Sequence, residues 1–177
     1  MHPKADEEKR TSHKQKILAY ASEGKQLIYI DESGFAVDMP RTHGYSQKGK
    51  RCYGTHNWNA KGRINAIGAQ IGSDFLTVSL VDGSVNSDVF HAWVEQDLLP
   101  KIPKPSVVIM DNATFHKRQD TQKTINRAGH ILEYLPAYSP DLNPIEHKWA
   151  QAKAIRRQNN TSVDELFTSN SKIPFYT

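Results

Sequence analysis

Cysteine is nearly absent from this chain. Cys52 stands alone among 177 residues, so neither a disulfide framework nor a cysteine-rich zinc site can be built from it, and a reducing compartment suits it. Long apolar runs are absent too: none approaches the roughly 18 residues that a membrane span requires, and the opening run MHPKADEEKRTSHKQK is charged throughout. The sequence therefore reads as having neither a signal peptide nor a membrane segment. Acidic residues are missing from Met39 to Ser73, where Arg41, Lys48, Lys50, Arg51, Lys61 and Arg63 stand among Tyr45, Tyr53 and Trp58. No internal repeat is visible.

The length suits one core with loose ends rather than two ordinary domains. Lys plus Arg exceed Asp plus Glu by 23 to 19, a balance that favours a polyanionic partner without requiring one.

Apolar periodicity orders the rest. Residues 5–22 read as a solvated helix stopped by Gly24. Leu27 to Asp31 is a short apolar run ending in an acid, and Asp-Glu-Ser-Gly predicts a break after it. The basic segment, about 34–61, is rich in glycine and reads mostly as loop. Residues 63–71 and 75–81 form a hairpin around Gly72-Ser73-Asp74. Phe90, Trp93, Val94 and Leu98 then repeat at helical spacing behind a cap at Asn86 or Ser87. Ser106 to Met110 is continuously apolar, as a strand covered on both faces requires, and Asp111 stands at its end. A polar helix over 117–128, a strand over 131–135, and a helix capped by Asn143 with Pro144 at its first position complete the order. The expectation is an α/β fold with one mixed five-stranded sheet, flanking helices, and a basic insertion after the first strand.

Asp31, Asp111 and Glu146 carry the chemistry. Carboxyl ends of neighbouring parallel strands face a common crevice, so Asp31 and Asp111 can meet there, and a helix entering that edge can bring Glu146 to the same point. Three oxygen-donor side chains suit a hard divalent cation such as Mg²⁺, and a pair of ions can hold both attacking and leaving oxygens of an in-line displacement. Each acid also has a purely local explanation. Asp31 can open a turn closed by Gly34. Asp111 can cap the segment that follows it. Glu146, at the third helical position, can bond back to the cap amide. Strand alternation sends Glu32 to the face opposite Asp31.

The runs YIDESGF, VVIMDNATFHK and LPAYSPDLNPIEHKW, with thirty-four residues between Asp111 and Glu146, resemble the mariner-like transposases, specifically their bacterial insertion-sequence branch, within the ribonuclease H-like, retroviral-integrase-like superfamily. The resemblance covers roughly residues 5 to 168. It implies a ribonuclease H-like catalytic domain over 26–158, a linker helix over 1–25 and a tail over 159–177. It also implies that Asp31, Asp111 and Glu146 are the Asp-Asp-Glu ligands of Mg²⁺ or Mn²⁺, two ions in all. The enzyme implied nicks double-stranded DNA at transposon ends and joins the freed 3′-hydroxyl to target DNA. A homodimer in a synaptic complex and a bacterial, cytoplasmic, nucleoid-associated location follow from the same resemblance. Full members carry helix-turn-helix modules ahead of this domain, whereas Met1 begins in what reads as the linker helix, so the chain reads as the downstream product of a split or frameshifted frame with an upstream helix-turn-helix polypeptide, as a fragment, or as a decayed copy.

Asn112 and His116 flank Asp111, where either can bond a ligand carboxylate or a phosphate, or serve as a turn residue and a surface histidine. Asn143 caps the last long helix and so holds Glu146. His147, Lys148, Lys153, Arg156 and Arg157 follow without another acid until Asp164, and with the insertion's basic residues they are the candidate DNA contacts. Trp149 and Ala150 anchor that helix in the core. Glycoside hydrolysis predicts no third acid. A junction resolvase of the same fold does not account for SPDLNPIE, and an inactive DNA-binding remnant with a regulatory role is the alternative from another class.

Overall fold

The computed structural model of the chain describes residues 4–37 and 62–168. The elements in chain order are α1 (Glu7–Ser22), β1 (Gln26–Ala36), β2 (Arg63–Ile71), β3 (Asp74–Asp82), α2 (Ser87–Trp93), β4 (Ser106–Met110), α3 (Gln119–Arg127), β5 (Ile131–Tyr134), α4 (Ile145–Asn159) and α5 (Val163–Thr168). They build one mixed sheet in the order β3-β2-β1-β4-β5. Its β3-β2-β1 half is antiparallel, and β4 and β5 join in parallel. Among the described residues no helix is long and apolar enough to cross a membrane.

Strand alternation sorts the core into layers. Ile28, Ile30, Val108 and Met110 face one side and pack on Phe90, Trp93, Val94 and Leu98 of α2 and its π-helical extension, with Ile125 of α3. The opposite face carries Phe35 and Ala66 against Ile145, Trp149 and Ala152 of α4 and against Val163 and Leu166 of α5. Both faces of β4 are fully buried, as its unbroken apolar run predicts. The expected tail thus begins inside the core, because α5 closes the aromatic layer through Phe167, 5.6 Å from Phe35 between ring centroids.

The first strand is longer than its turn-forming residues suggest. Asp-Glu-Ser-Gly does not end β1, because Asp31 through Ala36 pair with Gly68 through Arg63 of β2. That ladder supplies the backbone partners a turn would otherwise have to find. Residues 34–36 therefore belong to the strand rather than to the insertion. Residues 38–61 of that insertion, with Arg41, Lys48, Lys50, Arg51 and Lys61, lie outside the described residues, as does the end of the tail.

α1 is polar, as its sequence predicts, and specific bonds fasten it to the domain. Arg10 is buried and its guanidinium forks onto both carboxylate oxygens of Asp141, at 3.0 and 2.7 Å, in the turn before α4. Lys16 and the Tyr20 hydroxyl donate to Glu133 of β5, at 2.9 and 2.7 Å.

Candidate active site

The register of the parallel pair places the first two acids. Gln26 pairs with Ser106 and Tyr29 with Ile109, so Asp31 and Asp111 stand at matching levels just past the last paired residues. Asp31 is a mid-strand residue held opposite Gly68, and the turn explanation for it falls away. Glu146 lies in the first turn of α4, whose docking sets its approach. All three acids line one cavity of about 250 Å³, with Asn112, Leu135, Tyr138 and Asn143 among its other walls.

Asn143 corrects the expected cap. Its side chain caps nothing; instead Nδ2 donates to the Ile30 carbonyl of β1 at 3.2 Å, tying the turn before α4 to the residue preceding Asp31. The α4 amides are met by backbone carbonyls, Glu146 N donating to Asn143 O at 3.2 Å and His147 N to Pro144 O at 3.1 Å. Asn143 Oδ1 is buried and unpartnered among the described residues, an orphan acceptor at the cavity wall. The Glu146 carboxylate makes no capping bond there either, so its local explanation loses its support.

The Asp111 carboxylate is held through one oxygen. Oδ1 accepts from Ala113 N at 2.9 Å, a local bond to the segment that it was expected to cap, and from His116 Nδ1 at 2.6 Å. His116 is fully buried rather than on the surface, and its Nε2 donates to Glu32 Oε1 at 2.8 Å. Alternation does send Glu32 to the other face of the sheet, where this contact waits. Since carboxylates only accept, both ring nitrogens carry protons. Asn112 reaches no carboxylate; its Nδ2 donates to the Leu135 carbonyl at 2.6 Å and pins the exit of β5.

Electrostatics separates the two aspartates. Burial, then Glu146 and Glu32, push the Asp31 carboxyl up to about 7. The His116 hydrogen bond holds Asp111 below the usual carboxylate range. Burial opposes charge on His116, but the bonds to Asp111 and Glu32 outweigh it and raise the imidazole to about 9. No three His, Cys, Asp or Glu side chains among the described residues form a ready-made metal cage. The three acids instead surround the cavity. Their all-oxygen chemistry, the mutual repulsion at Asp31 and the orphan Asn143 Oδ1 together fit a hard cation.

The candidate DNA contacts divide by helical face. Lys148 and Arg156 are buried, because they share a stripe with Ile145, Trp149 and Ala152. Arg156 donates to the carbonyls of Ala36, Val37 and Thr161 and so locks the end of β1, a structural task. Lys153 lies over the Phe35 ring at 5.4 Å. Arg157, His147 and Arg63 are exposed, and Arg63 lies across Gly34, where a Cβ would collide with its guanidinium. Ala150 is exposed, and Ala152 takes the core position foreseen for it. Two residues at the site drew no functional expectation. Glu32 carries no local signal for its bridge, and Tyr138, on the cavity wall, holds a positive φ of 56° that a side chain seldom adopts without a reason.

The family described as DDE superfamily endonuclease matches residues 26–166. The transposable element Tc3 transposase of Caenorhabditis elegans is 28% identical over 168 residues, covering 84% of this chain and 49% of its own length. Among solved structures, the Mos1 transposase paired-end complex with left transposon end superposes with a TM-score of 0.68 at 18% identity, covering 92% of this chain and 54% of that one. The Mos1 transposase catalytic domain with raltegravir and Mg superposes with a TM-score of 0.63 at 14% identity, covering 97% and 86%. The ribonuclease H-like sheet is thus the shared fold. The chain spans about half the length of the Tc3 transposase and of the Mos1 chain in the paired-end complex.

Proposed function

The chain belongs to the DDE superfamily endonucleases, and we propose on that premise that it is the catalytic part of a DNA transposase, cutting transposon ends and transferring the freed strand to target DNA. The observation that carries this reading is the convergence of Asp31, Asp111 and Glu146, from two strands and a helix, on one cavity. These three residues would hold Mg²⁺ or Mn²⁺. When bound, the cation activates water or a 3′-hydroxyl and stabilises the departing oxygen, and a two-ion arrangement serves both ends of the displacement. The Mos1 structures with Mg and with Mn support the choice of ion.

The protein's own groups do the positioning. Asp111 presents Oδ2, which accepts no hydrogen bond among the described residues, while Oδ1 is occupied by Ala113 and His116. Asn143 couples the α4 approach to β1, and so fixes Glu146 relative to Asp31. Exposed Arg63 and Arg157, with the basic residues of 38–61, offer phosphate contacts that weaken as salt rises. Residues 26–158 carry catalysis in this reading. Residues 1–25 are a linker helix leading into that domain, and two copies act on paired ends.

The test is cleavage of a labelled transposon-end duplex with Mg²⁺ or Mn²⁺. Wild type is expected to nick it and Asp111→Asn to lose that activity while keeping salt-sensitive DNA binding. Equal cleavage by both proteins overturns the mechanism. Binding without cleavage by either favours a regulatory remnant instead.

A further inference from the structure

We propose that Glu32 and His116 are positioning residues that aim the Asp111 carboxylate into the cavity, acting as a side-chain bridge where the parallel ladder has stopped. The inference rests on reading Asp111 as a metal ligand.

The last paired residues of β1 and β4 are Tyr29 and Ile109, so no backbone ladder joins the strands at the level of Asp31 and Asp111. Neighbouring strand ends without such bonds are free to spread, and a ligand pair on them would lose its spacing. The connection that takes over is Glu32 Oε1 to His116 Nε2 at 2.8 Å and His116 Nδ1 to Asp111 Oδ1 at 2.6 Å, which runs from β1 to the residue after β4.

The bridge is built to be stiff. The imidazole is fully buried, with the Phe90 and Phe115 rings at 4.4 and 4.2 Å between centroids. Its backbone is fixed on both sides: His116 N donates to Ala113 O at 3.1 Å, and the Tyr134 hydroxyl donates to His116 O at 2.9 Å. With the ring immobile, Asp111 Oδ1 has one place to go, and Oδ2 is turned outward. Carboxylate–histidine contacts behind a metal ligand typically govern 10–100-fold in affinity or activity. Glu32 is placed for that task by strand alternation: adjacent to Asp31 in sequence, it acts from the reverse face of the sheet.

The test measures Mn²⁺ binding to the full chain without DNA, from the spectroscopic signal of free Mn²⁺, beside the thermal midpoint in chelator. Glu32→Ala is expected to weaken binding by roughly ten-fold or more at a temperature below its own midpoint, where the chain is still folded. Glu32→Gln, whose amide oxygen can still accept from Nε2, is expected to recover most of the affinity. If Glu32→Ala fails to fold, His116→Gln carries the same expectation of weakened binding. Unchanged Mn²⁺ affinity in Glu32→Ala or His116→Gln overturns the proposal, as does a fall in midpoint without a fall in affinity. Asp111→Asn separates this failure from failure of the metal-site reading. If Asp111→Asn loses Mn²⁺ while the bridge variants bind like wild type, only the bridge is wrong. If wild type itself binds none, both readings fall.

Discussion

Raising the pH from about 5 to about 9 is expected to weaken the metal-free protein by several kcal/mol, and Mg²⁺ or Mn²⁺ is expected to restore most of the loss at the alkaline end. Asp31 drives the first part. Its folded carboxyl titrates at about 7 against an ordinary 3.8, so the native state holds a proton that the unfolded chain has released. A group raised in this way stabilises fully below its unfolded value, and that contribution is gone once pH has passed its folded value. For Asp31 the window is about pH 4 to 7, and the loss is on the order of 4 kcal/mol.

His116 continues the decline. Raised from 6.5 to about 9, it favours the fold below its unfolded value and loses that contribution as pH rises through the folded one. Asp111 and Asp141 act in the opposite sense. Both are depressed, Asp111 by His116 and Asp141 by Arg10 to about 2, so their contributions are complete above the ordinary carboxylate value and vanish only in acid. Urea unfolding across pH in chelator, with and without added cation, reads the effect. Asp31→Asn should flatten the curve between about pH 4 and 7. A wild-type curve that is already flat there, and indifferent to Mg²⁺ and Mn²⁺, would sink the electrostatic account.

Trp149→Ala is expected to cost about 3–5 kcal/mol and to lower the thermal midpoint by about 10 °C. The indole is 2% exposed and stands 4.9 Å from Phe75, 6.2 Å from Phe35 and 6.2 Å from Phe167 between ring centroids. Its far edge rests on Gly68, where a Cβ would lie 2.7 Å from the ring. Gly68 is the register partner of Asp31, and Trp149 follows Glu146 by a single helical turn. This contact therefore helps to seat α4 and, with the Asn143 bond to Ile30, to set the distance between the first acid and the third. Losing the ring should reduce cleavage further than unfolding alone explains. Gly68→Ala should do the same from the sheet side by lifting α4. Calorimetry and cleavage below the variants' melting range separate the two effects. An unmoved midpoint in Trp149→Ala would show that α4 is seated by other contacts.

Elements with a strong apolar period were legible in the chain. The Ser106–Met110 run is buried throughout, and Phe90, Trp93, Val94 and Leu98 form the helical face that their spacing describes. Misreadings came where a local rule competed with a distant partner. Asp-Glu-Ser-Gly has the composition of a turn, but β2 pairs with it and keeps it extended. Asn143 before Pro144 has the look of a cap, yet its side chain is engaged by Ile30, 113 residues away. Lys148 and Arg156 were counted as charge available to DNA, and their positions relative to Trp149 turn both inward. Of the site itself, the three acids could be found from strand ends and motif. The bridge could be only half found: alternation gave the face of Glu32 but not the histidine 84 residues downstream.

The antiparallel half of the sheet is built from neighbours in the chain, whereas β4 must find β1 across the whole of residues 37–105. Pairings of that kind form late, since the loop they close must lose its freedom before contacts reward it. A ribosome adds the consequence of direction. Asp31 emerges early, Asp111 much later, and Glu146 on the last long helix, whose aromatic layer also waits for Phe167. The cavity therefore has all its walls only when synthesis has reached α4, and a chain interrupted earlier holds acids without a site.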